Sequence, residues 1–90
     1  MGLLKRSTGG ELQVVARAPF NVYYEGPAQT LSAANKIGQF DVLPGHADFF
    51  SVLSPGEVSI NTGSGEPVTF PINNGIITVR DDNVMLFCNM

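Results

Sequence analysis

The strongest signal in this 90-residue chain is a period of two. In LQVVARA, Leu12, Val14, Ala16 and Ala18 fall on one side of an extended segment. Successive side chains of a strand point to opposite faces, so such alternation marks a strand with one buried side. EVSINTGSGEPVTFPI is the clearest case: Val58 and Ile60 face one way, a Gly63-Ser64-Gly65 tip turns the chain, and Val68, Phe70 and Ile72 return in step. That is the pattern of a hairpin. GIITVRDDNVMLFC repeats it, with Ile77 and Val79 on one arm, Val84, Leu86 and Cys88 on the other, and Asp81-Asp82-Asn83 at the bend. NVYYEG and AQTLSAAN flank Gly26-Pro27, and DFFSVL is followed by Ser54-Pro55-Gly56. No interior stretch carries a helical period, and glycine or proline recurs every several residues. Short strands at this spacing predict an all-β fold, a small β-sandwich (a flattened barrel) of about nine to ten short strands. Proline has no N–H to give a ladder, so Pro67 and Pro71 place their strand on an edge or turn those nitrogens outward.

Composition narrows the classes of function. Ninety residues make one small domain, expected over residues 11–90 behind a flexible, Gly-rich tail at residues 1–10. The net charge is −3, and two of the five cations, Lys5 and Arg6, sit in that tail. The body of the domain is therefore more acidic than the total. This argues against a nucleic-acid binder and against an electrostatic membrane anchor. No run approaches the ~20 apolar residues of a membrane helix. The single cysteine, Cys88, excludes an intrachain disulfide and reads as a small core hydrophobe.

The candidate chemistry is thin. GQFDVLPGHADFF holds the only histidine, His46. His46 and Asp48 supply two ligand types two residues apart, whereas a zinc site takes three or four, so no metal is expected. Neither a nucleophile nor an orienting partner accompanies His46, so no catalytic residue is assigned. It reads as a hydrogen-bonded loop residue or as an interface residue. Gly63-Ser64-Gly65 lacks the helix and the lysine of a phosphate cradle. Asp81 and Asp82, adjacent carboxylates at a turn, read as solvated and unperturbed. Phe49 and Phe50 point to opposite faces if extended, so at least one belongs to the core, and Tyr23 and Tyr24 pose the same choice.

GQFDVLPGHADFFSVLSPGEVSI also resembles the β-sandwich domain of the epsilon subunit of the rotary proton-translocating ATP synthase. That family carries Gly-Glu-Phe-Gly-Val-Leu-Pro-Gly-His-Ala, then hydrophobic residues, then Pro-Gly. This chain matches at Gly38, Phe40, Val42, Leu43, Pro44, Gly45, His46, Ala47, Pro55 and Gly56. APFNVYYEGPAQTLSA and FPINNGIITVRDDNVMLF extend the similarity, from about residue 11 to about residue 88. Pro44-Gly45 suits a type II turn, and Pro55-Gly56 can serve likewise. Asn21 stands where the family has glycine and tolerates the left-handed region, and Asn74-Gly75 offers another turn.

The resemblance implies a non-catalytic rotor subunit of the central stalk, without cofactors. Its implied partners are the gamma subunit and the c-ring, and it helps carry ion-driven rotation to ATP synthesis. It would lie on the cytoplasmic face of the inner or plasma membrane, peripheral to the complex, bacterial rather than organellar, with no segment inserted in the bilayer. The isolated domain is expected to be a monomer. Gln39, Asp41, His46 and Ser51 are its implied interface residues. Two departures stand out. The family's glutamate before phenylalanine is Gln39 here, and its following glycine is Asp41, so the charge has moved two positions to a site that shares a face in a strand. The family's pair of C-terminal helices has no counterpart before Met90, so the chain is expected neither to inhibit hydrolysis through them nor to hold nucleotide. The alternative reading is a free-standing β-sandwich that binds a protein or a ligand.

Overall fold

Strands account for the regular structure throughout. The computed structural model describes residues 10–45 and 47–89; the expected N-terminal tail, Gly10 apart, and His46 lie outside them. Nine strands, and no helix, occur among the described residues: β1 (Leu12–Ala18), β2 (Asn21–Ala28), β3 (Thr30–Ala34), β4 (Gln39–Val42), β5 (Phe49–Leu53), β6 (Gly56–Asn61), β7 (Val68–Ile72), β8 (Asn74–Arg80) and β9 (Asn83–Asn89). They form a five-stranded sheet in the order β2-β1-β9-β8-β5 and a four-stranded sheet in the order β4-β3-β6-β7. Every neighbouring pair is antiparallel except β1 and β9, which run parallel.

The two inner faces make the core, and the period of two selects them. Leu12, Val14, Ala16 and Ala18 are buried on β1, Val58 and Ile60 on β6, Phe70 and Ile72 on β7, Ile77 and Val79 on β8, and Val84, Leu86 and Cys88 on β9. Val68 is half-buried against the same cluster. Each full burial of a Val, Leu or Ile contributes about 1.5–3 kcal/mol of transfer free energy. The strand with Pro71, β7, lies on the edge of its sheet, with Pro67 just before it, as the missing N–H requires.

Aromatic pairs close both open sides of the sandwich. On one side Tyr23 of β2 stacks on Phe70 of β7, with ring centroids 4.3 Å apart and planes 7° from parallel. On the other, Phe40 of β4 meets Phe49 of β5 edge to face at 5.7 Å. Tyr23 and Tyr24 both pack against the core rather than dividing between faces. The cause is a β-bulge: Ala16 pairs with Tyr24, but Arg17 pairs with Val22, so Tyr23 is the extra residue. A bulge breaks strict alternation and re-aims a side chain. The phenylalanine pair behaves more simply, with Phe49 half-buried and Phe50 63% exposed.

Three expected turns take another form. Gly26 and Pro27 do not end a strand, since β2 runs through them to Ala28 on the sheet's edge. Asn21 does not adopt a left-handed backbone; the non-glycine residues with positive φ are Asp81 (51°) and Asp82 (65°). These two form the whole loop between Arg80 and Asn83, and two consecutive positive φ values are what a type I′ hairpin turn demands. Asn74 and Gly75 belong to β8. Gly75 is required there by close approach, because a Cβ would sit 2.6 Å from the carbonyl oxygen of Phe87. Pro44-Gly45 does turn the chain, and Gly45 has φ 84°. Pro55 lies at a bend and Gly56 opens β6.

Gly75→Ala must displace the β9 backbone. Chemical denaturation is expected to show a loss of roughly 1–3 kcal/mol, the usual cost of overpacking.

Candidate functional site

The outer faces of the two sheets differ in kind. Across the four-stranded sheet, one row in register reads Asp41, Ser32, Ser59 and Thr69. All are polar, and Asp41 accepts a hydrogen bond from the Ser32 hydroxyl at 2.7 Å. Across the five-stranded sheet, the corresponding row reads Val22, Arg17, Phe87, Ile76 and Val52. The next row reads Glu25, Val15, Met85, Thr78 and Phe50. Phe50, Val52, Val22 and Phe87 are each more than half exposed, and Ile76 and Met85 are close to that.

Single exposed hydrophobes are ordinary, but a contiguous apolar sheet face rimmed by polar residues marks an interaction surface. Two shallow depressions lie on it. One of about 490 Å³ is lined by Val15, Glu25, Thr78, Arg80 and Met85 among others. The other, of about 370 Å³, runs along Val52, Ile76 and Phe87. Neither gathers an acid, a base and a nucleophile, so this surface has the means to dock a partner and no evident means to turn over a substrate.

The residues implied by resemblance lie off this face. Gln39 and Asp41 are exposed together on the outer side of β4, in the other sheet. The extended backbone does put both on one face, as the shift of charge between them requires. Ser51 sits on the inner side of β5 at the rim, where its hydroxyl accepts a hydrogen bond from the Asn35 amide at 3.1 Å. His46 lies outside the described residues. Among the described residues no group of three or more His, Cys, Asp or Glu side chains is placed to hold a metal ion.

At one end of the sandwich, the Pro44-Gly45 turn is stitched to the β8–β9 turn. The Gly45 amide donates to Asp82 Oδ1 at 2.8 Å, and the Asp81 amide donates to Asp48 Oδ1 at 2.8 Å. The Gln13 amide donates to the Asp82 carbonyl at 2.9 Å. Asp82 is therefore buried, only 4% exposed, and not a solvated turn residue. Among the described residues its buried Oδ2 finds no hydrogen-bond partner. A two-residue hairpin loop is the signal that both aspartates adopt an unusual backbone; the reach to Gly45 leaves no trace in the pattern.

The fold and its exposed apolar face define a β-sandwich domain. Its family is settled by comparison: the chain belongs to the ATP synthase delta/epsilon chain β-sandwich domain family, whose model matches residues 11–90. An ATP synthase epsilon chain from Micrococcus luteus is 33% identical over 84% of this chain and 84% of its own length. One from Clostridium novyi is 27% identical over 79% of this chain and 54% of its own. The chain thus spans about half the length of some curated relatives and most of another. Among solved structures, a chain of the Euglena gracilis mitochondrial ATP synthase (OSCP/F1/c-ring) superposes with TM-score 0.81 over 88% of this chain at 18% identity. A chain of the Tetrahymena thermophila mitochondrial ATP synthase central stalk and c-ring gives 0.77 at 17%. Those two likenesses show the shared fold.

Two outcomes follow from the local chemistry. Asp82→Ala removes the Gly45 acceptor and is expected to cost roughly 1–3 kcal/mol in urea unfolding, whereas Asp82→Asn keeps an oxygen there and costs less. Burial pushes the Cys88 thiol up from 9.0 to about 11. The folded state holds the protonated thiol more tightly, so this contribution to stability is complete below about pH 9 and is lost as pH rises towards 11. Cys88→Ala is expected to flatten that alkaline slope, read as the urea midpoint against pH.

Proposed function

We infer that this chain is a non-catalytic rotor subunit of an ATP synthase, of the epsilon type. It links the gamma subunit to the c-ring so that ion-driven rotation reaches the catalytic head. The observation that carries this reading is the apolar outer face of the five-stranded sheet, in a chain that belongs to the delta/epsilon sandwich family. The names of the relatives and the assemblies in which the structural neighbours occur support it. On this reading the apolar face packs on gamma, and the polar side with Gln39 and Asp41 turns towards the ring. Asp41 supplies the negative charge that Gln39 lacks, and the family resemblance adds His46 and Ser51 to the partner-contacting residues. The subunit sits peripherally, at the membrane surface where the ring emerges.

Purified gamma subunit of the same enzyme, mixed with this chain, is expected to give a stable complex on size exclusion. Phe87→Asp should weaken it by roughly 30-fold or more, as for a central aromatic anchor. Its own fold should lose only about 1 kcal/mol, since Phe87 is an outward cross-strand neighbour. Asp41→Ala should leave the gamma complex intact and reduce retention on isolated c-ring. No complex with gamma, or one indifferent to Phe87→Asp, would refute the assignment.

A further inference from the structure

The apolar face contains a charge that has not been accounted for. Arg17 stands within the first row, in register between Val22 on β2 and Phe87 on β9. Val15, two residues back on the same strand, is its other outward neighbour on β1. Arg17 is exposed, and among the described residues no ion pair engages it. The nearest carboxylate on the face is Glu25, which stands opposite Val15 rather than Arg17. A second cation, Arg80, lies on the same side at the rim of the 490 Å³ depression.

This distribution runs against the chain's overall charge. The described residues include eight carboxylates and three cations, and two of the three cations, Arg17 and Arg80, lie on the apolar face. The polar face of the other sheet carries Asp41 and Glu57 and neither lysine nor arginine. Among the described residues the cations thus concentrate on the apolar face, with Lys36 the one exception.

Covering Arg17 with an apolar partner would remove its guanidinium from water. An unpaired buried charge is costly, and a paired, hydrogen-bonded one is tolerated. A second copy of this chain is a poor cover, because it would bring two net-positive faces together. Resting on the reading of this face as the gamma-docking surface, we propose that the partner presents a carboxylate, on an otherwise apolar surface, that seats against Arg17. A second acidic group faces Arg80 at the rim. From strand spacing the two partner charges lie about 16 Å apart: two strands across and four residues along. The planar guanidinium suits a bidentate carboxylate, which fixes the rotational setting of one subunit on the other.

The two arginines then act differently. Arg17, central and desolvated, governs the dissociation rate, whereas Arg80, at the rim, governs the association rate and its salt dependence. The probe is purified gamma subunit, with binding kinetics measured at about 50 mM and about 300 mM salt, where screening differs. Arg17→Met keeps an apolar stem and deletes the charge. It should leave the partner's carboxylate buried and unpaired, and weaken binding roughly 30-fold or more, mainly through faster dissociation. Arg17→Glu should weaken it further, and Arg17→Lys should retain part of the affinity. Arg80→Gln should slow association at low salt and leave dissociation nearly unchanged. Circular dichroism and urea unfolding confirm that each variant is folded.

If Phe87→Asp abolishes binding while Arg17→Met binds as tightly as the parent chain or more tightly, the carboxylate is refuted and the docking face stands. If Phe87→Asp has no effect, or gamma does not bind at all, the docking face is refuted and the carboxylate with it. A dimer of this chain that forms through Phe87 and ignores gamma would overturn both.

Discussion

The parallel pairing of β1 with β9 is the constraint on which the rest depends. It joins the first strand to the last and seats both at the centre of the five-stranded sheet. Val14 meets Val84 and Ala16 meets Leu86 on the inner side, and Val15 meets Met85 and Arg17 meets Phe87 on the outer side. Without it that sheet would separate into a β1–β2 hairpin and a β9-β8-β5 sheet, and an isolated hairpin is marginal in water. The core rows and the outer apolar rows would be lost together. The ladder joins residues about seventy positions apart, so its loop-closure entropy must be offset by non-local contacts formed as a set, a topology that folds slowly.

What the sequence made legible follows from what alternation can and cannot report. Period two identifies which residues share a face, and a clean polar partner face then tells which is inside. That condition holds in LQVVARA and EVSIN, where the buried positions were readable. It fails in DFFSVL, where apolar residues occupy both faces; there Phe50 and Val52 are outward, and only the pairing of β5 with β8 shows it. On β9 the row Val84, Leu86 and Cys88 is the inner one, as its alternation predicts, and Met85 and Phe87 face out. The bulge at Tyr23 was equally hidden, because an extra residue shifts the register without changing composition. The burial of Asp82 gave no local signal, because its carboxylate is bonded to Gly45, thirty-seven residues away along the chain.

The resemblance to a known family supplied the fold and the class of partner, and left the surface to be found. Its motif centres on Leu43, Pro44 and Gly45, and in the structure Gly45 is latched to Asp82 beside the Asp81–Asp48 hydrogen bond. The apolar face is spread over β1, β2, β5, β8 and β9, at positions that no short motif connects. A local signature thus identified the scaffold, while the apolar face is a property of sheet order.

In the proposed role, where the subunit must transmit torque, a sheet face has a mechanical advantage. Each residue of the face is fixed by the ladder beneath it, so the surface deforms only if backbone hydrogen bonds shear collectively. The stacked Tyr23–Phe70 pair and the Phe40–Phe49 pair hold the two sheets together on both open sides, which resists sliding of one over the other. Loops would supply the same contact area with far lower local stability. The arrangement also separates two demands within single strands. On β9, Val84, Leu86 and Cys88 serve the core while Met85 and Phe87 face outward. Outward positions can therefore change to suit a partner without disturbing the packing that keeps the body stiff, and a charge such as Arg17 can be accommodated on the face because its neighbours Ala16 and Ala18, not Arg17 itself, fill the interior.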